Sequence, residues 1–333
     1  MMIYPTTPRG KQALTVSRND DDVYKVFFYK KLKKSDNPLD LKWGRHEDAP
    51  TVGEASIIQN ICAYHGLAPM VKAVALGDLG RKYYATQIIE KTHKFPTSTE
   101  EVKEVFDKVI ELGKQYGFEL ITYDCSPQDI MDGMLIDFQQ FRFTEDPKEI
   151  IAKFYKEATK WGKIQYQGIK ALKVNDGPRH METRIKEQKL EDIDFKGKTV
   201  IDIGCSGGEF TRYAKDQGAN SVTGFDFRKD LLGASIASIY LGYSDIEYKD
   251  KIDWDFSKID VCFYLSMNRH IGWPWEKITH MPKMLVFERN KMASGHEIPE
   301  EEVVKNLEKH FSNVEELGTG SDHGFKPIYH CTR

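Results

Sequence analysis

Two domains of unlike class are predicted by the sequence: an α+β front half and, behind it, a doubly wound, Rossmann-like α/β half. Three observations carry this prediction. The chain has 333 residues, enough for two cores of ordinary size. From GKTVIDIG onward, continuous apolar runs alternate regularly with amphipathic ones, the pattern of a parallel sheet covered on both faces. Before that point short β-like runs mix with a few strongly helical stretches. The expected division is residues 1–145, a helical lead-in at 146–194, and residues 195–333.

Composition sets the bounds. With 40% hydrophobic and 30% charged residues and a formal net charge of -3, no global field draws the chain to nucleic acid or membrane. The five cysteines, Cys62, Cys125, Cys205, Cys262 and Cys331, show neither a CxxC pair nor zinc-ligand spacing, which fits a reducing cytoplasm. The stretch MMIYPTTPRGKQ has no apolar export core, and no window approaches the length of apolar chain a membrane helix needs. A cytoplasmic protein without a membrane span is expected.

In the front half, VYKVFFY, MVKAVAL and KYYATQII read as strands and EASIIQNICAYHG as a helix. STEEVKEVFDKVIELGKQYG is more strongly periodic. Ser98 or Thr99 caps it, glutamates in its first turn complement the helix dipole, and Gly117 ends it. Its apolar positions Val102, Val105, Phe106, Val109 and Ile110 form one face. EDPKEIIAKFYKEATKW is a further helix, followed by the turn-rich KVNDGPRH.

In the back half the order is TVIDIG, EFTRYAKDQG, SVTGFDF, LLGASIASIYLG, IEYK, IDVCFYLS, EKITHMP, MLVFER, EEVVKNLEKHF, VEELG and KPIYHCT. Within VIDIGCSGGEF a buried strand carrying Asp202 runs into Gly204, Ser206, Gly207 and Gly208 before a helix starts near Glu209. Glycines admit positive φ and close approach of a ligand, and the helix start offers free N–H groups. The dinucleotide fingerprint GxGxxG does not match this spacing. One strand later, SVTGFDF ends on Asp226, and Asp250 follows IEYK.

Loop, second-strand acid and the β/α alternation resemble class I S-adenosylmethionine-dependent methyltransferases over about residues 195–333. The resemblance implies S-adenosylmethionine as cofactor. It places Asp202 and the loop residues along the cofactor's amino-acid part, Asp226 on the ribose hydroxyls and Asp250 at the adenine. Ser266 and the rest of LSMNRHIGWPW then border the cofactor and the methyl acceptor. Asn268, Arg269 and His270 are candidates there, with Arg269 and His270 set in catalytic positions and Glu288 at the end of the fifth strand. Packing accounts equally for Trp273 and Trp275, and His270 also suits a helix cap or the surface. LSMNRHIGWPW with HGFKPIYHC further resembles methyltransferases of terminal phosphates, including bifunctional O-antigen kinase/methyltransferases. That likeness implies a glycan or small-molecule acceptor bearing phosphate, facing Arg269, His323 and Lys326, unless these are plain surface charges. RNA stays open as an acceptor, although KKLKK at 30–34 reads as a solvated face rather than a nucleic-acid patch.

The front half poses a separate question. Lys25 lies in a β-like run, Glu54 opens a helix, and YDCSPQDIMDGMLIDFQQF carries Asp124, Asp129 and Asp137. Turn chemistry explains the aspartates of DCSPQD and MDGM one by one, but not the ordered set. The set resembles a reduced kinase-like domain of the small-molecule and lipopolysaccharide kinase kind. The resemblance implies ATP and Mg²⁺, with Lys25 on the phosphates and Glu54 as its carboxylate partner. Asp124 becomes the catalytic base, and Asp129 and Asp137 the metal ligands. The chain departs from that pattern in having only Gly10 before Lys25, Thr122 and Asp129 where histidine and asparagine are usual, and Gln139 for glycine. Three functions are open at this point: a kinase and methyltransferase acting in series, a methyltransferase whose front half only binds acceptor or partner, and a non-enzymatic scaffold.

Overall fold

The computed structural model describes residues 3–5, 13–17, 22–30, 50–78, 82–92, 94, 96, 98–121, 129–138, 140–161, 164–165, 167–174, 180–290, 298–320 and 326–333. These form two compact units, Met1–Ala158 with Leu232–Asp245, and Thr159–Leu231 with Ile246–Arg333.

The first unit opens with strands β1 (Ile3–Pro5), β2 (Ala13–Ser17) and β3 (Asp22–Lys30), helix α1 (Val52–Tyr64), and strands β4 (Val71–Asp78) and β5 (Lys82–Glu90). They make one antiparallel sheet in the order β1-β2-β3-β5-β4, so α1 is inserted between the third and fourth strands of the chain. Thr51 and Glu54 close a capping box on α1, each side chain bonding the other's backbone N–H. Nearly every residue of α1 from Val52 to Ala63 is buried, as an apolar helix without a polar face has to be.

Helix α2 (Thr99–Tyr116) follows. Ser98 caps it by accepting from Glu101 N, and Gly117 ends it at φ 65° with its N–H on Gly113 O, as the sequence predicts. Its buried stripe is Val102, Val105, Phe106, Val109, Leu112 and Tyr116; Ile110 lies at the edge of that stripe, half-buried. Strand β6 (Phe118–Leu120) pairs with β9 (Phe141–Phe143), and between them β7 (Ile130–Met131) and β8 (Met134–Leu135) form a hairpin. Asp132 at φ 54° and Gly133 at φ 70° make its two-residue turn. Helix α3 (Pro147–Thr159) closes this part. The first unit thus runs past residue 145, and it also takes in Leu232–Asp245.

The second unit contains the hairpin of β10 (Lys160–Trp161) and β11 (Ile164–Gln165), then helix α4 (Met181–Glu187). Next come β12 (Thr199–Ile203), α5 (Glu209–Asp216), β13 (Ser221–Phe225), the start of α6 (Arg228–Tyr240), β14 (Ile246–Lys249) and β15 (Val261–Leu265). Two single-turn helices, α7 (Asn268–Ile271) and α8 (Pro274–Lys277), lead to β16 (Met284–Glu288), α9 (Glu300–Glu308), β17 (Asn313–Gly320) and β18 (Lys326–Thr332). The sheet order is β14-β13-β12-β15-β16-β18-β17.

The first five strands of that order are parallel, as predicted. The last two depart from it: β18 runs antiparallel to both β16 and β17. The connection from β17 to β18 is too short for a crossover helix, so the pair closes as a hairpin and slots β18 beside β16. EKITHMP, expected among the regular elements, supplies only the end of α8 before an irregular stretch that starts at Ile278, whose backbone is already extended.

Helix α6 has no exposed face from Leu231 to Ile239, which requires apolar cover all round. In the first unit Asn60 Nδ2 bonds Ser235 Oγ at 3.0 Å and Val71 O at 3.1 Å, while Asn60 Oδ1 receives Val71 N at 2.8 Å. Asn60 is wholly buried, so Asn60→Ala strands these partners without water. The variant is expected to lose about 2 kcal/mol of stability, measured as a lower urea midpoint with an unchanged slope.

Candidate functional site

At the carboxyl end of β12 the chain turns on Gly204, whose φ of 79° suits glycine alone among common residues. A Cβ there would strike the Met267 side chain. Gly204 N and Cys205 N both donate to Phe225 O, at 2.8 and 3.1 Å. This ties the loop to the end of β13. Gly207 O accepts Arg212 Nη1 at 2.8 Å, and Gly208, at φ 77°, starts α5. Ser206 takes a left-handed φ of 48°, and its N–H donates to Asp226 Oδ2 at 2.7 Å. Phe227 N holds the other oxygen of Asp226 at 2.7 Å. The Asp226 carboxylate is thereby fixed in orientation, with acceptor capacity left on each oxygen.

Asp202 faces the same corner from inside the sheet. It is buried, and its Oδ2 has no hydrogen-bond partner. Burial, reinforced by the negative charge of Asp226 and opposed by Arg184, pushes its carboxyl up to about 7. Asp230, in the first turn of α6, is pushed up to about 7 by burial and by Asp226 as well. Asp226 is raised by burial, against the pull of the Phe227 and Ser206 N–H groups and of His270. Three carboxyls thus crowd one corner, where a cation or hydroxyl donors would relieve them. Phe227, directly after Asp226, is 72% exposed and leaves a flat apolar face beside that corner. Asp250 lies exposed just past β14.

Across the crevice, beyond β15, Ser266 is also left-handed, at φ 61°. Its N–H donates to Glu288 O at 2.8 Å, its hydroxyl bonds Glu288 Oε1, and Lys326 Nζ donates to Ser266 Oγ at 3.1 Å. Lys326 is therefore buried in a network, not open to a phosphate as the sequence suggested. Asn268 is diverted too: its amide bonds Asn290 O at 2.9 Å and Asn290 N at 2.7 Å, stitching the loop to the chain after β16. Arg269 and His270 stay exposed. Trp273 and Trp275 stack on each other at 5.0 Å and pack edgewise on Phe287, so they serve the core. His323 lies outside the described residues.

Of the residues singled out in this unit, Asp202, Gly204, Ser206, Gly207, Gly208 and Asp226 are bonded or packed into one corner, whereas Ser266 turns to Glu288 and Lys326. Phe227, Asp230 and Arg184 are the ones sequence reasoning missed. Phe227 could have been found from its place right after the strand-end acid. Nothing in the spacing marks Arg184.

In the first unit Lys25, on β3 and buried, makes an ion pair with Asp137 Oδ1 at 3.1 Å and donates to Ile136 O at 3.3 Å. Asp137, just past the β7–β8 hairpin, is thus a carboxylate that meets Lys25 among the described residues. Glu54, expected as its partner, bonds Thr51 N and, through Oε1, Phe143 N at 2.7 Å, because the helix cap claims it first. Asp129 stands at the base of the hairpin and accepts Ile136 N at 2.7 Å on its carbonyl. Asp124, Thr122 and Gln139 lie outside the described residues. Among the described residues no three His, Cys, Asp or Glu side chains converge as a metal site, and no helix is long and apolar enough to cross a membrane.

Residues 184–270 match the model of the FtsJ-like methyltransferase family, a stretch that lies within the second unit apart from Leu232–Asp245. No curated protein matches the chain. Among solved structures it is similar to a SAM-dependent methyltransferase from Aquifex aeolicus, at 18% identity over 45% of this chain and 92% of that one, with a TM-score of 0.34. It is also similar to the N-terminal domain of EvdMO1 in the presence of SAH and D-fucose, at 15% identity over 57% and 97% of the two chains, TM-score 0.42. WbdD in co-crystals with the kinase inhibitor LY294002 aligns at 17% identity over 47% of this chain and 42% of that one, TM-score 0.35.

Asp202 and Asp230 ionise near 3.8 in an unfolded chain and near 7 here. They favour the folded state below about pH 4, and that contribution is lost as the pH rises through about 7. Asp202→Asn removes its share. Melting temperatures should therefore diverge in favour of the variant between about pH 4 and about pH 7, and a pH-independent gap between the two melting curves would contradict the assignment.

Proposed function

We propose that the second unit is an S-adenosylmethionine-dependent methyltransferase. The observation that carries this reading is the corner where the Gly204–Gly208 loop, the oriented Asp226 carboxylate and the orphaned Asp202 oxygen meet at the carboxyl ends of adjacent parallel strands, the usual ligand crevice of such sheets. The family match over residues 184–270 supports it. The corner fits the cofactor. Asp202 Oδ2 would accept from its ammonium group, Asp226 from its ribose hydroxyls, and the exposed ring of Phe227 would stack on its base, with Asp250 and Ser266 further along the crevice. When bound, the cofactor supplies a methyl group made electrophilic by a sulfonium centre. The chain's own task is to align an acceptor with it, which requires no catalytic base in principle. Arg269 and His270, exposed beside the crevice, would hold the acceptor. Their charge suits a phosphate-bearing small molecule or glycan better than a long nucleic-acid track.

Asp226→Ala and Gly204→Ala should each weaken S-adenosylhomocysteine binding by more than tenfold. The first removes the oriented acceptor; the second drives a methyl into Met267. Titration calorimetry on both variants measures it, and wild-type affinity in either would refute the placement.

A second reading concerns the first unit, and the Lys25–Asp137 ion pair favours it. A buried lysine on the third strand of an antiparallel sheet, a helix between the third and fourth strands, and an aspartate just after a short hairpin all support a kinase-like domain. With Asp124 as base and Asp129 and Asp137 on Mg²⁺, it would phosphorylate the acceptor that the second unit then methylates. Its counterpart is a front half that binds acceptor or partner without turnover. ATP with Mg²⁺ is expected to bind the full chain, and Asp137→Ala to abolish that binding while leaving S-adenosylhomocysteine affinity unchanged. If calorimetry detects no ATP binding in the unmodified protein, the binding-module reading stands instead.

A further inference from the structure

Arg289 directly follows β16 at its carboxyl end and is half-buried. Its Nη2 donates to Ile298 O at 2.6 Å, its guanidinium carbon lies 6.0 Å from the centre of the Trp273 ring, and its backbone N–H donates to Pro327 O at 3.0 Å. A neutral carbonyl and an aromatic face therefore hold the group in place, and among the described residues no carboxylate forms an ion pair with it. Glu300, two residues past Ile298, instead accepts the Tyr329 hydroxyl at 3.1 Å. A guanidinium fork has five N–H donors, and the Ile298 carbonyl takes one. Half-burying such a charge without a counter-ion costs free energy, which an anionic ligand would offset.

The position of Arg289 links it to the cofactor corner. The carboxyl ends of β12, β13, β15 and β16 share one edge because these strands are parallel, and ligands of such sheets bind outside that edge. Along the edge a Cβ on Gly204 would overlap Met267, and the next residue, Asn268, exchanges two hydrogen bonds with Asn290, at 2.9 and 2.7 Å. Arg269 follows Asn268 and Arg289 precedes Asn290. The amide bridge thus joins two segments that each carry an arginine, Arg269 exposed on α7 and Arg289 half-buried after β16. Resting on the methyltransferase reading above, we propose that Arg289 is an acceptor-binding residue: its fork, held by Trp273 and Ile298 O, forms with Arg269 a two-arginine clamp for a phosphomonoester group of the acceptor. Two positive charges match a phosphate dianion, and a fixed guanidinium presents parallel N–H donors to two phosphate oxygens.

The test is binding of inorganic phosphate to the full chain loaded with S-adenosylhomocysteine, followed by phosphorus NMR in mildly basic buffer. If the unmodified chain does not bind S-adenosylhomocysteine, the cofactor reading itself fails; if it binds that molecule but no phosphate, the clamp alone fails. Arg289→Gln should weaken phosphate binding about tenfold with S-adenosylhomocysteine affinity unchanged, and Arg289→Lys should recover part of the loss. Unchanged phosphate affinity in Arg289→Gln would put the anion elsewhere on the chain and overturn the proposal, as would an equal loss of S-adenosylhomocysteine affinity, which marks a purely structural arginine. Dimethyl phosphate, with a single charge, should bind the unmodified chain more weakly than phosphate; equal affinity points to a phosphodiester such as an RNA backbone and overturns the monoester assignment. One measurement needs no variant: labelling of the unmodified chain with the arginine reagent phenylglyoxal, read peptide by peptide. Near-saturating phosphate should slow modification of Arg289 and Arg269 about fivefold and leave other exposed arginines unaffected. Equal rates with and without phosphate overturn the proposal.

Discussion

The second unit depends on a 2.7 Å hydrogen bond from the Ser206 backbone to the Asp226 carboxylate. It joins the loop after the first strand of the sheet to the end of the second, where parallel strands leave a crevice. For Ser206 to reach Asp226, its backbone must enter the left-handed region, a strain of the order of 1 kcal/mol for a residue with a side chain. Gly204 and Gly208 absorb the rest of the turn at little cost. The loop is thus a short rigid bridge whose ends are set by two strands, and the carboxylates around it are held close together although they repel. A site that stores repulsion in this way favours a ligand carrying positive charge and hydroxyl groups.

The sequence made this half legible because its signals are local. Continuous apolar strands, the glycine loop and the acid closing SVTGFDF all fall within a few residues of the positions they define, and the structure places them at one corner. What escaped was long-range. Antiparallel insertion of β18 between β16 and β17 follows from how a short connection folds back, which no periodicity reports. Lys326 reads as a free surface cation until β18 is set beside β16 and turns it inward toward Ser266 and Glu288. Asn268 likewise resembles a site residue until the chain after β16 arrives to claim its amide.

The first unit was legible in a different proportion. Ser98 and Gly117 bound α2 where capping chemistry puts them. Glu54 was assigned to Lys25 on the strength of order alone, whereas local geometry gave it a nearer role: three residues past Thr51, it completes a capping box. Helix α6 could be recognised as a helix, but not as one whose later turns join the first unit; the clue was its lack of any polar face. Proximity in sequence decided each contest in which both roles were chemically reasonable.

A Cβ at 204 would overlap the end of the Met267 side chain, so any residue other than glycine there obliges Met267 to turn aside as well as straining a backbone at φ 79°. One position belongs to the strand that starts the sheet and the other to the segment leading to Arg269 and His270. A change at 204 is therefore passed, through Met267, to the segment that leads to Arg269 and His270.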